Sequence, residues 1–209
     1  IGGIFSGAFK SLKLIAQEVD EKFKDIPIVI GGIHATLFAK EILEKYSYID
    51  YVVLGEGESA FLKLVMCIAE NKGTPESIDG VAFRHNGSIK LNPKTIFENQ
   101  LDALPFVDYG AIDLKEYKWD TSGWYNPKKL KINRPFPIVS SRSCSQRCNF
   151  CCNWLAHGPA IRSRTPDNVL SEMEHLYDSY DARYFHFIDD NMTFDKKRVL
   201  EICEGITKR

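Results

Sequence analysis

The sequence lacks a long hydrophobic run and carries almost no net charge. It contains no stretch of 18 consecutive apolar residues, the length that a membrane-spanning helix needs. Its start, IGGIFSGAF, has neither the basic region nor the length of a secretory signal peptide. The 27 Lys and Arg residues balance 28 Asp and Glu residues, so no overall basic field favours a nucleic acid partner. We therefore expect a cytoplasmic protein with no membrane span and no nucleic acid partner.

The composition that remains is typical of a folded globular chain. Hydrophobic residues make up 44% and charged residues 26% of the 209 positions, which excludes a disordered tail, a collagen-like chain and a coiled coil. The chain begins with Ile1 rather than Met, and residues 196–209 keep a helical rhythm up to the last position. We expect this sequence to be the middle of a longer protein.

Strand-like and helix-like segments alternate over the first 72 residues. Apolar runs predict buried strands over 1–6, 26–30 and 50–54, and the second and third of these end in glycine. Helical apolar stripes separate and follow them, consisting of Phe9, Leu12, Ile15, Val19 and Phe23, then a segment near 36–45, then Phe61, Leu62, Val65 and Ile68. This order predicts an α/β fold with a parallel sheet, which binds ligands at the carboxyl ends of its strands.

The rest of the chain contains two regions with different sequence patterns. The segment 73–137 reads as an ordered linker with a small hairpin over 80–92, because Asn86-Gly87 is a strong two-residue hairpin turn. From residue 138 the strand and helix rhythm returns and predicts a second parallel structure. Its predicted elements are a strand over 138–141, a helix from Thr165 to about Tyr180, a strand over 184–188 and a helix that begins near Thr193 or Asp195.

Three of the six cysteines follow the spacing Cys144-x3-Cys148-x2-Cys151. A closed structural zinc site needs four ligands. Cys152 or His157 could supply the fourth ligand beside these three cysteines, so a zinc site stays an alternative. Three thiolates on a 4Fe-4S cluster would leave one iron open for a substrate or cofactor. The other two cysteines, Cys67 and Cys203, lie in predicted helices and are expected to be small buried hydrophobic residues.

The segment SRSCSQRCNFCC resembles the cluster loop of radical S-adenosylmethionine enzymes, which follows the first barrel strand. The resemblance implies that Cys144, Cys148 and Cys151 bind a 4Fe-4S cluster and that S-adenosylmethionine chelates the fourth iron. It also implies that Phe150 lies against the adenine of S-adenosylmethionine. Cys152 has no counterpart in the motif and no assigned role.

The segment FHFIDDNMTFDKKRVLEIC resembles the second strand and helix of the same family. In that family, polar residues at the strand's end meet the amino group of S-adenosylmethionine. The resemblance makes Asp189, Asp190 and Asn191 candidates for this role. Acids and Asn after a strand also cap helices and line solvated loops, so this second interpretation stays open.

Two earlier segments, IVIGGIHAT and YVVLGEGE, are similar to the cobalamin-binding domain that precedes the radical core in cobalamin-dependent members. By that resemblance His34 is a loop or helix-start residue rather than a cobalt ligand. The residues expected to line the cobalamin cleft are Ser6, Gly7, Gly31, Gly32, Gly55 and Glu56.

The two resemblances together imply three regions. Residues 1–72 are expected to form part of a cobalamin-binding, Rossmann-like (flavodoxin-like) domain, 73–137 the linker, and 138–209 the first βα units of a TIM-type radical S-adenosylmethionine barrel. This sequence lacks the first strands of the cobalamin domain and the rest of the barrel. We therefore expect the isolated chain to be inactive.

The function implied is an enzyme that reductively cleaves S-adenosylmethionine to a 5'-deoxyadenosyl radical and methylates an unactivated carbon of a small-molecule substrate. Its cofactors would be a 4Fe-4S cluster, S-adenosylmethionine and cobalamin, and flavodoxin or ferredoxin would supply the electron. Alternatives are an oxidative cyclase or rearrangement enzyme of the same architecture, and a non-catalytic zinc or iron-sulfur module. A tRNA methylthiolation enzyme is disfavoured, because it would carry three further N-terminal cysteines and this chain has only Cys67 there.

Overall fold

The structure is a computed structural model that describes residues 1–2, 6–117, 128–129, 131–132 and 134–209. The chain forms two compact units, one of residues 1–98 with 146–159 and one of 99–145 with 160–209. Both units are α/β, as the sequence predicts. Within the described ranges, every helix is too short or too polar to cross a membrane.

The first unit is a four-stranded mixed sheet with helices. Its elements are α1 (Phe9–Lys22), β1 (Val29–Gly31), α2 (Ile33–Leu37), α3 (Ala39–Lys45), β2 (Tyr51–Val53), α4 (Glu58–Glu70), β3 (Val81–His85), β4 (Ser88–Asn92) and α5 (Asn153–His157). Short 3-10 turns occupy Ser6–Ala8 and Pro75–Ser77. The predicted helix near 36–45 is divided into α2 and α3 at Phe38, whose backbone is not helical.

The strand order in this sheet is β1-β2-β3-β4. β1 and β2 are parallel, which confirms the predicted crossover, and Gly31 stands opposite Val53. The predicted hairpin is also confirmed, with Asn86 and Gly87 both at positive φ as a two-residue turn of this kind requires. Because β3 pairs antiparallel with β2, the hairpin extends the first sheet rather than standing alone in a linker.

The first predicted strand, over 1–6, is described only in part. Gly2 forms a parallel bridge with Gly31, and the Gly31 N–H donates to the Ile1 carbonyl at 3.1 Å. Residues 3–5 lie outside the described part of the chain. These contacts place the start of the chain beside β1, in the parallel sense that the alternation predicts.

The helices of the first unit bury smaller residues than the apolar stripes predict. In α1, Leu12 of the predicted stripe is buried and so is Ala16 outside it, whereas the stripe residues Ile15 and Phe23, the latter just after α1, are each 53% exposed. In α4, Ala60 and Leu64 are buried. The predicted core residues of α4 that are instead exposed are Phe61, Leu62 and Val65. Alanine at the interface lets a helix lie close to the sheet. A prediction of the buried helix face from the spacing of large apolar residues alone overlooks such small residues.

The second unit contains one complete βαβ connection. Its elements are β5 (Pro135–Ile138), β6 (Ser141–Arg142), β7 (Arg162–Ser163), α6 (Pro166–Tyr180), β8 (Tyr184–Phe187) and α7 (Lys196–Lys208), with 3-10 turns at Leu101–Ala103, Tyr109–Ala111 and Met192–Phe194. β5 and β8 are parallel, and β6 and β7 form a separate antiparallel pair. The core of this unit consists of Phe136, Ile138, Val169, Met173, Leu176, Ala182 and Ile202.

The observed positions of β5 and of the starts of α6 and α7 can be compared with those predicted from the sequence. The predicted strand over 138–141 is observed three residues earlier, as Pro135–Ile138. Pro135 stands at the first position of this strand, where proline is tolerated, and the Ile138 carbonyl at its end accepts from the Ile188 N–H just after β8 at 3.0 Å. The helix start at Thr165 is confirmed, since its side chain accepts from the Asn168 N–H at 3.3 Å. Of the two starts predicted for the last helix, Asp195 is the cap.

Candidate functional site

The carboxyl ends of β1 and β2 border a cavity of about 380 Å³ in the first unit. Three of the six residues predicted to line a cobalamin cleft, Gly31, Gly32 and Gly55, line this cavity together. The cavity is otherwise bordered by Ile1, Gly2, Val29, Ile30, Val53, Gly57, Glu58 and Phe61. Glycines leave space where side chains would stand, so this edge offers an apolar, open-walled cradle at the position where parallel sheets bind ligands.

Thr36 fastens the two glycine loops of this edge to each other. Its hydroxyl donates to the Gly32 carbonyl at 2.9 Å and accepts from the Gly55 N–H at 2.8 Å. The hydroxyl therefore fixes the loop after β1 against the loop after β2. Sequence reasoning missed Thr36, although the polar residue at the end of IVIGGIHAT was a usable signal, because its second partner lies 19 residues away.

Ser6 and Gly7 do not border the cavity. The Ser6 hydroxyl lies 2.9 Å from Nδ1 of His34, whose ring also packs against Phe9 and Phe38 at centroid distances of 4.4 and 4.9 Å. Burial lowers the pKa of His34 below its ordinary value. His34 lies in the first turn of α2, as the sequence indicates. The predicted cobalamin contacts of Ser6 and Gly7 stay predictions.

Glu56 is 5% exposed and does not border the cavity either. Its Oε1 lies 3.2 Å from Nδ1 of His157, the last residue of α5. The structure thus pairs the acid of the GEGE segment with a helix that follows the cysteines. The predicted role of Glu56 at cobalamin stays a prediction, and this pairing is a contact that the sequence did not indicate.

The three motif cysteines are divided between the two units. Cys144 follows β6 in the second unit, whereas Cys148 and Cys151 belong to the segment 146–159 of the first unit. The Cys151 N–H donates to the Cys148 carbonyl at 3.0 Å, so these two residues close one turn. All three carry free thiols. The donor set therefore has the chemistry that an iron-sulfur cluster requires.

The residues that the structure describes include no group of three His, Cys, Asp or Glu side chains poised to hold a metal ion. The cluster ligation of Cys144, Cys148 and Cys151 accordingly stays a prediction. Cys152 precedes α5 as its N-cap residue, half-buried. Cys67 is also half-buried, but Cys203 is exposed on α7, so its assignment as a buried hydrophobic residue is wrong.

The backbone before Cys144 is held by buried polar groups. Ser140, Ser141 and Ser143 are at most 2% exposed, and Ser143 has a positive φ of 70°. The Asp189 carboxylate accepts from the Ser140 N–H at 3.2 Å, from the Ser140 hydroxyl at 2.8 Å and from the Ser141 hydroxyl. Because both oxygens of Asp189 already bind these serines, its predicted contact with S-adenosylmethionine would have to share or replace them.

Two arginines hold carbonyls of the same stretch. Arg198 is 6% exposed and donates to the Ser140 carbonyl at 2.6 Å and to the Arg164 carbonyl at 3.0 Å. Arg164 donates to the Val139 carbonyl at 3.1 Å and pairs with buried Glu172. Burial lowers the pKa of Arg198, an effect that nearby Asp189 opposes. The strand end is therefore held by charged side chains from the segment between β7 and α6, from α7 and from the loop after β8.

Of the remaining residues predicted to contact S-adenosylmethionine, Phe150 and Asp190 are exposed and Asn191 is half-buried. Phe150 is 92% exposed, which leaves its ring open for stacking. Asp190 is exposed, and Asn191 precedes the 3-10 turn Met192–Phe194. The predicted roles of these three residues stay predictions.

Residues 4–65 match the B12 binding domain family. Over 97% of its length the chain is 30% identical to the anaerobic magnesium-protoporphyrin IX monomethyl ester cyclase of Cereibacter sphaeroides, and it covers 31% of that protein. Over 96% of its length it is 28% identical to the cobalamin-dependent radical SAM methyltransferase TokK of Streptomyces tokunonensis, of which it covers 28%. The chain is thus similar to cobalamin-dependent radical S-adenosylmethionine enzymes over nearly its whole length, and residues 4–65 match the B12 binding domain family.

A solved structure shows the same fold. The radical S-adenosylmethionine methyltransferase TsrM of Kitasatospora setae, with cobalamin and a [4Fe-4S] cluster bound, aligns with a TM-score of 0.63 at 20% identity. The alignment covers 96% of this chain and 36% of TsrM. The chain spans about a third of the length of the curated relatives it matches.

Proposed function

We propose that this chain is the central part of a cobalamin-dependent radical S-adenosylmethionine enzyme that methylates an unactivated carbon of a small molecule. The observation that carries the proposal is a sheet edge with a glycine-lined cavity, within residues matching the B12 binding domain, in a chain that also carries three free thiols spaced as a cluster motif. When bound, the cluster would supply the electron that cleaves S-adenosylmethionine to a 5'-deoxyadenosyl radical.

The chain's own residues supply ligation and orientation in this proposal. Gly31, Gly32 and Gly55 leave the cavity open for a flat part of cobalamin, and Thr36 keeps their loops in place. Asp189 holds the backbone before Cys144, which would be the first of the cluster ligands. The ring of Phe150 is open to a stacking partner.

A cyclase is the second candidate, supported by the similarity to the magnesium-protoporphyrin cyclase. The residues that choose between methylation and cyclisation would contact the substrate, and no described residue is tied to a substrate. The proposal also includes a cytoplasmic location, a flavodoxin or ferredoxin as electron donor, and the division into cobalamin domain, linker and barrel start at residues 72 and 137.

The first test is anaerobic iron and sulfide reconstitution of the chain beside a Cys144→Ala, Cys148→Ala, Cys151→Ala triple variant. The matched control is Cys203→Ala, which removes an exposed thiol outside the motif. We expect about four irons per chain in the wild type and in Cys203→Ala, and none in the triple variant. The electron paramagnetic resonance spectrum of the reduced cluster should change when S-adenosylmethionine is added.

The alternatives give different results in the same experiment. Stoichiometric zinc without a spectral response would support a structural metal module. Iron bound equally by the triple variant would contradict the ligand assignment. A separate titration with hydroxocobalamin, followed by its absorbance, tests the cobalamin cradle, and a Gly31→Val variant that fills the cavity should bind it more weakly.

A further inference from the structure

The segment that carries Cys148, Cys151 and Cys152 packs on the first sheet. This thiol segment, residues 146–159, belongs to the first unit although 47 residues of the second unit, 99–145, precede it in the chain. A Cβ added to Gly55 would lie 2.7 Å from the Ala156 carbonyl oxygen, so the backbone of α5 touches the loop after β2. At the end of α5, a Cβ on Gly158 would lie 2.9 Å from the ring of Phe97.

The buried acid of this contact is Glu56. Its side chain is 3% exposed, and its Oε1 lies 3.2 Å from Nδ1 of His157, whose side chain is 33% exposed. A carboxylate oxygen accepts, so the His157 ring donates from Nδ1. A carboxylate this deeply buried is costly unless it is hydrogen-bonded, and the ring of His157 in α5 supplies one such hydrogen bond.

Gly55 connects this contact with the cavity. It borders the cavity at the carboxyl edge, its N–H is held by Thr36, and the Ala156 backbone closes over it. The thiol segment therefore contacts a residue of the cavity wall.

We infer that Glu56 and His157 are positioning residues that seat the thiol segment on the carboxyl edge of the first sheet and thereby couple occupancy of the cavity to the thiol of Cys151. The inference rests on the proposed function for the identity of the cavity's ligand, cobalamin. It gives Glu56 a role in docking rather than in direct contact with that ligand.

The test measures alkylation of the full chain by iodoacetamide, cysteine by cysteine, by mass spectrometry. In Glu56→Ala, half-buried Cys151 should react about tenfold faster than in the wild type, because one buried hydrogen-bonded pair no longer opposes local opening, whereas Cys148 is already exposed in the wild type. Cys203, exposed in the second unit, should react at an unchanged rate. The matched control is Glu76→Ala, which removes the carboxylate from the exposed pair of Glu76 with His85 in the same unit and should leave all rates unchanged.

The alkylation rate of Cys67 distinguishes local release of the thiol segment from unfolding of the whole first unit, because Cys67 is half-buried in α4 of that unit. If its rate also rises in Glu56→Ala, the comparison of His157→Asn with His157→Phe decides. Asn keeps a short N–H donor and should retain most of the protection, whereas Phe should lose it. Equal rates at Cys151 in the wild type and all three variants would overturn the inference.

Added hydroxocobalamin tests the coupling. It should slow the alkylation of Cys151 in the wild type and not in Glu56→Ala. Binding without any protection of this thiol in the wild type would overturn the coupling. Failure of the wild type to bind hydroxocobalamin, with the tenfold difference between wild type and Glu56→Ala retained, would instead overturn the proposed ligand and leave the docking role intact.

Discussion

The two units fasten their strand ends by different means. At the edge of the first sheet, glycines and the single hydroxyl of Thr36 hold the loops, and a cavity remains beside them. At the end of β5 in the second unit, Asp189, Arg164 and Arg198 bind the backbone and hydroxyls of residues 139–141. The loops of the first edge are joined by small groups beside a cavity, whereas the second edge is held by charged side chains.

The difference follows from what each edge is proposed to do. A flat cofactor needs room, and glycine provides it at the cost of weak local restraint. A metal ligand needs a fixed backbone, and buried charged hydrogen bonds restrain it more strongly than neutral ones. The Arg198 Nη1 atom is buried without a hydrogen-bond partner in the described residues, which shows that the second edge tolerates an energetic cost.

The largest effect should come from removing the carboxylate of the second edge. Asp189→Ala leaves the buried hydroxyls of Ser140 and Ser141 without their acceptor, and we expect a loss of about 3 kcal/mol in the stability of the second unit. Hydrogen exchange at the amides of β5 and β8 measures it. Asp178→Ala, at an exposed acid of α6, is the control and should change little. Equal protection in both variants would show that the charged edge is not a restraint.

Gly55→Ala should damage the first edge by about 2 kcal/mol. Gly55 has a φ of +62°, which disfavours a side chain, and the new Cβ would overlap the Ala156 carbonyl oxygen. Gly7→Ala is the control, since no atom lies within 4 Å of its Cβ position. Urea unfolding followed by circular dichroism compares the two variants. A Gly55→Ala variant as stable as Gly7→Ala would mean that the close approach of α5 is not maintained.

Thr36→Val tests the hydroxyl that joins the glycine loops. The substitution keeps the shape and leaves the Gly55 N–H without its acceptor, so we expect a loss of about 1 kcal/mol. Thr36→Ser retains the hydroxyl and should restore most of this stability. Exchange of the Gly55 amide is the direct measurement, and protection that survives in Thr36→Val would contradict the role assigned here.

The smallest effect should be local to α7. Asp195→Ala removes the side chain that accepts from the Arg198 N–H at 3.1 Å, and helix caps of this kind contribute about 1 kcal/mol. The matched variant is Thr193→Ala, at the other position where the sequence allows the helix to begin. Thermal unfolding should show a lower midpoint for Asp195→Ala alone, and the reverse order would place the cap at Thr193.

The elements that the sequence predicted correctly depend on neighbours in the chain. Asn86-Gly87 forces a tight turn, Thr165 caps the helix that follows it, and apolar runs mark the strands β1, β2 and β8. The helix faces were predicted less well, because Ile15 is exposed while Ala16 is buried, and period alone does not weigh a small residue that permits close packing.

The same distinction between local and long-range features applies to the candidate site. The cysteine spacing and the glycine-ended strands were visible in the sequence because each lies within one short segment, and the family similarity follows from them. The hydrogen-bond partners of the site residues were decided by the tertiary structure. Thr36 and Gly55 are 19 residues apart, Asp189 and Ser140 are 49 apart, and Glu56 and His157 are 101 apart. Local sequence signals reflect local backbone preferences, whereas these hydrogen bonds exist only because folding brings distant strand ends together.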